Sequence, residues 1–187
     1  MRWLAGLTGL AILVAPQVAN AGDAACVWRA LPEDARAQSL KNYADKGPEN
    51  PFDGVREEVL GEAVIACVAL PRNERAAARV AETVGVALAA HVMQLGSEAS
   101  LKKAYGIEPT ALERAYGAID RKRRLEFGTK IMAERTPSEA TVIALMQAIT
   151  VAYPAADFEA LNKDAGVELF LIYFGARAIR EQAEAKF

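Results

Sequence analysis

Histidine occurs once in the 187 residues of this chain, at His91, and cysteine only twice, at Cys26 and Cys67. That scarcity removes whole classes of chemistry. A Ser-His or Cys-His nucleophile pair would have to use His91. The chain contains no H-E-x-x-H, E-x-x-H, C-x-x-C or calcium-loop pattern, so no metal site is expected. Glu58 and Glu62 share a helix face, but Ile65 stands where a di-iron bundle would need histidine. G-x-G-x-x-G and Walker sequences are missing as well, and a nucleotide cofactor is not expected. Neither sign of charge is in excess: 22 Lys and Arg stand against 24 Asp and Glu, which gives a nucleic-acid partner nothing to hold. Alternating apolar and polar residues joined by hairpin turns, the mark of a sheet, are absent too.

What is present starts with an export signal. Arg2 is followed by an uncharged apolar run, Leu4 to Val14, then by Pro16 and the small residues Ala19 to Ala21. This is the layout of a secretory signal peptide, residues 1–21, cleaved after Ala21 to leave a mature chain from Gly22. The run is too short for a retained anchor, since a bilayer needs about 20 apolar residues. Cys26 lies beyond the cut and behind Asp23, which argues against a lipidated cysteine. The expected location is therefore the periplasm or the outside of the cell, with no membrane span remaining after cleavage.

From Gly22 to Phe187 one all-α domain is expected, a compact array of about seven to nine helices around a buried C-terminal helix. The predicted elements begin with Asp23 to Arg29 and Pro32 to Lys46. Helices from Val55 to Leu70 and from Arg72 to Leu95 follow the breaker-rich stretch Lys46 to Gly54. Gly96 and Ser97 are read as a break before a short helix ending near Gly106. A long helix starts at Pro109 and reaches Arg135, with a kink or an end near Asp120 to Arg124, where the apolar stripe loses its register. Thr136 is the expected cap of the next helix, with Pro137 in its first turn and Glu139 closing a capping box; it runs to Ala152. Asp157 to Lys163 and Val167 to Ala185 complete the set. The end of the third helix, Ala63 to Leu70, is apolar all round and should be buried on every face. Ala81, Gly85 and Ala89 form a strip suited to a close helix contact.

The two cysteines sit in one repeated phrase, "ACVWRALP" from Ala25 and "ACVALP" from Ala66. Each copy marks a corner between helices. In an oxidising compartment an even pair implies a Cys26–Cys67 disulfide. Closing a loop of that length stabilises the fold by about 4 kcal/mol on the chain-entropy model.

Remaining candidates for chemistry are few. His91 lies in "ALAAHVMQL" and reads as a histidine hydrogen-bonded at the edge of the core. A haem held by His91 with Met93, Met132 or Met146 lacks every attachment signal. The four cations Arg121 to Arg124 point about 100° apart on a helix and make no single patch. They read as a solvated face laced by Asp120–Arg124, Glu126–Lys130 and Lys130–Glu134 pairs. The expected function is thus non-enzymatic, with no catalytic residue: an interaction or structural protein of the cell envelope with an unidentified protein partner. The alternative is a carrier of a small apolar or lipid-like ligand between Val84 to Leu95 and Val167 to Phe174. A hydrolase using His91 is the remote third.

Overall fold

The computed structural model describes residues 23–47, 50–153, 161 and 166–186. The signal segment 1–21 and most of the helix expected at 157–163 lie outside the described residues. Leu161, helical and buried, is the exception. Eight helices and no strand occur among the described residues.

Local chemistry accounts for the first corners. Helix α1, Ala24–Ala30, is capped by Asp23, whose carboxylate accepts from the Ala25 N–H at 2.8 Å. Pro32 ends that segment and opens α2, Glu33–Lys46, with Glu33 and Asp34 at the positive end of its dipole. Helix α3, Glu57–Cys67, stops three residues before the expected Leu70, because Val68 already takes extended backbone (φ −128°, ψ 125°). A disulfide joins Cys26 on α1 to Cys67 at the end of α3, with Cα atoms 5.9 Å apart.

Helix α4, Glu74–Tyr105, corrects the expected break at Gly96 and Ser97. It runs unbroken for 32 residues from the Asn73 cap to Gly106, whose φ of 67° suits glycine. Gly96 is needed for contact: a Cβ there would collide with the Tyr43 ring from α2. Ser97 returns its hydroxyl to the carbonyls of Met93 and Gln94, so both supposed breakers stay helical. By length and composition alone α4 is apolar enough to cross a bilayer, which was not expected of any segment past residue 21. Instead its Ala87, His91 and Gln94 face lies against the C-terminal helix.

The long helix expected from Pro109 is two helices. Helix α5, Pro109–Ala118, ends at buried Ile119, and Asp120 caps α6, Arg121–Met132, by accepting from the Arg123 N–H at 3.1 Å. Helix α7, Glu139–Ala152, is capped by Ser138 and not by Thr136. Ser138 is fixed by Glu126 of α6, whose carboxylate accepts from its N–H and hydroxyl, so a tertiary contact chooses the cap.

Helix α8, Gly166–Glu184, lies antiparallel to α4, bringing Arg180 to His91, Ala183 near Ala87 and Gly166 to Tyr105. Its Phe170, Tyr173 and Phe174 are fully buried with Leu101, Leu112, Leu145 and Ile149. A second cluster, Val27, Trp28, Tyr43, Val84, Leu88 and Val92, fills the other end of α4 around the disulfide. Burial along α8 continues to Ala183, beyond the half expected to be core.

Two packing expectations fail. Ile65 near the end of α3 is 68% exposed and Leu70 is exposed as well, because α1 is the element that α3 packs on. Gly85 faces open space and Ala81 is exposed, so among the described residues the strip makes no close helix contact at those two positions, and only Ala89 is half-buried.

Candidate functional site

Two regions hold what chemistry the fold offers. One is a polar seam along α8. At its centre Arg180 donates from Nε to Glu184 Oε1 at 2.8 Å and from Nη2 to Asp23 Oδ1 at 3.2 Å. Its Nη1 donates to Gln94 Oε1 at 3.2 Å and to His91 Nδ1 at 2.9 Å. A guanidinium has no lone pair to offer, so Nδ1 accepts and the imidazole proton sits on Nε2. Burial, and then the Arg180 charge, lower the His91 pKa to about 4, and the ring is neutral at physiological pH. Its edge meets Trp28 at 6.1 Å between centroids. The ring is 6% exposed and its hydrogen-bond partner is a cation, which is the wrong polarity to make a general base.

The seam continues through carboxylates that are equally engaged. Glu113 accepts from Tyr173 Oη at 3.2 Å, from Arg177 Nε at 3.2 Å and from Gln94. Glu98 accepts from Gln94 at 2.9 Å, and burial holds its carboxyl above the usual range. Tyr116 donates to Glu181 at 2.6 Å, and Arg124 and Arg177 stack on its ring at 4.9 and 5.3 Å. Burial raises the Glu181 carboxyl, but the hydrogen bonds from Arg124 and Tyr116 outweigh it and leave it below the usual range. A cavity of about 330 Å³ between Glu113, Tyr116, Arg124, Arg177 and Glu181 has walls that are already paired with one another.

The basic run is corrected by the same network. Arg124 reaches Glu181 and the Ile119 carbonyl, not Asp120, which pairs with Arg123 instead. Glu126 accepts from Ser138 and Thr141, and among the described residues neither Lys130 pair closes to a salt bridge, although the Lys130 charge still acts on Glu126. Arg121 and Lys122 stay on the solvated face, while Arg124 is the joint between α6 and α8.

The second region is an apolar groove of about 300 Å³ between α4, α6 and α8. Met93 forms one side and Phe127 and Ile131 the other. Leu171, Ile172, Gly175, Ala176 and Ile179 make the floor, with Glu168 at one end. Ile131 is 37% exposed, and Leu171, Ile172 and Ile179 are only half-buried. The expected pocket between Val84 to Leu95 and Val167 to Phe174 overlaps this groove at Met93 and at Glu168 to Ile172. The α6 wall of Phe127 and Ile131 and the continuation to Ile179 lie outside the expected pocket.

Other named residues are dispersed. Met93 lines the groove, Met132 is exposed, and Met146 packs beside the aromatic core, so none of them faces His91. Glu58 and Glu62 are exposed on α3, and no group of three or more metal-ligating side chains occurs among the described residues. Comparisons with family models, with curated proteins and with solved structures give no match.

Proposed function

We propose that this chain is an exported, non-enzymatic helical protein of the cell envelope, and that it works by contact with a protein partner at the groove between α4, α6 and α8. The carrying observation is the groove itself, a strip of half-buried aliphatic side chains that no described element covers. Large exposed apolar patches mark protein contact sites on soluble proteins, and this strip offers apolar surface of that kind on a small scale. The side chains that could do chemistry are consumed along the seam, His91 by Arg180, Glu113 by Arg177, and Glu181 by Arg124 and Tyr116. A disulfide between Cys26 and Cys67 is compatible with an oxidising compartment, and the Arg2 and Leu4 to Val14 pattern supports export.

A small apolar ligand is the competing occupant. The groove lies at the lower limit of ligand cavities, roughly 300–1,000 Å³, which bury most of their ligand. Its exposed Ile131 wall would leave such a molecule partly in water, whereas a protein segment brings its own cover.

The test places a photo-crosslinking residue at Ile172 in the full chain expressed with its own leader, and at exposed Lys41 as control. The expected result is a discrete protein adduct from position 172 alone, with the unlinked protein starting at Gly22 and carrying no extra mass under native spraying. A bound small molecule released on denaturation, or equal crosslinking from both positions, would overturn the reading.

A further inference from the structure

The stretch that carries α3 is anchored on both sides of the helix. Before it, Asn42 of α2 donates from Nδ2 to the Pro51 carbonyl at 3.2 Å and to the Asp53 carbonyl at 2.7 Å, so the turn through Asp53 belongs to the body of the fold. After it, Asn73 caps α4 by accepting from the Ala76 N–H at 3.0 Å. Gly54, with φ of 76°, and the exposed residues Ala69 to Arg72 connect α3 to these anchors.

The packing of α3 itself is thin. Of its eleven residues only Ala63 and Cys67 are buried, while Val59, Leu60 and Val64 are half-buried. Among the described residues no side-chain hydrogen bond or ion pair joins it to another helix. It is shorter than the roughly 12–15 residues at which an isolated helix is marginal in water, so it depends on what fastens it. Its neighbour α1 is fastened independently. Asp23 pairs with Arg180, the Ala24 N–H donates to Glu184 at 3.0 Å, and the Trp28 ring meets His91. The Cys26–Cys67 disulfide thus joins a well-held helix to one that has little else.

We propose that this disulfide is a latch, and that its reduction by an external dithiol releases α3 while α1, α4 and α8 stay folded. Exposure sets the order of the exchange. Cys26 is half-exposed, with the exposed Arg29 one turn on, whereas Cys67 is buried. A thiolate of the dithiol attacks Cys26 Sγ, the S–S bond breaks, and the bonding pair leaves on Cys67. The second thiol of the reductant then displaces Cys26 from the mixed disulfide. Two electrons pass to the protein, the reductant closes its own disulfide, and its two protons end on Cys26 and Cys67. Release bares Ala63 and opens the cluster around Val27 and Val68 to water, at the far end of α4 from the sealed aromatic core.

The test follows hydrogen exchange of the wild-type protein at neutral pH without denaturant, oxidised and then reduced with dithiothreitol. After reduction, peptides from residues 57–67 should exchange within seconds, with less than about tenfold protection left, while those from 87–101 and 170–178 stay protected for minutes. Maleimide labelling gives a second reading, because Cys67 should react as fast as Cys26 once α3 is free. Reoxidation should restore protection. The double variant Cys26→Ser, Cys67→Ser should match the reduced protein with no reductant present. Protected α3 amides and an unreactive Cys67 after reduction would make the disulfide a passive brace and overturn the proposal. So would rapid exchange spreading through α4 and α8, or a disulfide that dithiothreitol does not reduce in the folded protein.

Discussion

Because the chain has one histidine, its effect on stability can be isolated cleanly. Burial and the neighbouring Arg180 lower the His91 pKa to about 4, against about 6.5 in the unfolded chain. As pH falls from 7 to 5, the unfolded state takes up a proton at His91 that the folded state refuses. The unfolded state then binds more protons, so stability falls with pH, by about 2 kcal/mol across this interval. For a chain of this length that is a drop in Tm of about 4–8 °C. Other groups lie outside the window or work against it. The carboxylates held low by their partners, Asp23, Glu126 and Glu181, contribute stability that is present above their unfolded values and is lost only in more acidic solution. Glu98, whose carboxyl burial raises above its ordinary value, gains stability as pH falls and so opposes the His91 effect.

The His91→Gln variant separates these contributions, because glutamine does not titrate and still offers Arg180 an acceptor. Thermal melts of both proteins at pH 7 and pH 5 should show a Tm loss in the wild type about 4–8 °C larger than in the variant. The imidazole proton signal, a single resonance, should titrate near pH 4 in the folded protein. Equal pH sensitivity of the two proteins, or a midpoint near 6.5, would refute the burial of a neutral ring against Arg180.

Reduction of the Cys26–Cys67 disulfide, or Cys67→Ser, should cost about 4 kcal/mol, read as a Tm drop of roughly 8–16 °C in melts with and without reductant. Gly96→Ala and Gly85→Ala, both in α4, should move stability in opposite directions. The first drives a methyl into the Tyr43 ring and costs about 1–3 kcal/mol, while the second gains about 0.5–1 kcal/mol in open space, both measured by urea titration. Glu181→Gln should destabilise by about 1–3 kcal/mol, because Arg124 loses its carboxylate and the Tyr116 hydroxyl its charged acceptor. An unchanged midpoint would show that the seam is solvent-loosened.

The helices themselves were legible in the residues, because apolar spacing and prolines act locally. The proline corners at Pro32 and Pro109, the turn at Asp120 and the end at Ala152 fall where local chemistry puts them. Errors arose wherever a distant side chain outvoted local preference. Gly96 and Ser97 read as a break, and helix wins because Tyr43 from α2 needs a surface without a Cβ. Thr136 reads as a cap, and Ser138 replaces it because Glu126, twelve residues earlier, binds its N–H and hydroxyl. Neither event leaves a trace in a window of ten residues.

The same distinction explains why one region was half read and the other not. Apolar composition shows that a helix has more greasy surface than one neighbour can cover, but it does not name the neighbour. Ala63 to Leu70 looked as buried as Val167 to Phe174, yet Ile65 faces solvent while Phe170 and Phe174 are sealed. What separates them is the end of α5 at Ile119 and the Asp120 cap. That corner lets α6 turn back along α8, close the aromatic core with Phe127, and stop short of covering Leu171, Ile172 and Ile179. The Arg124 pair with Glu181 and the Ile119 carbonyl ties the corner in place. Arg124, one of four cations that read as a solvated face in the sequence, therefore holds α6 at the edge of the groove. Loosening the Arg124 joint should disturb the groove before it disturbs the core.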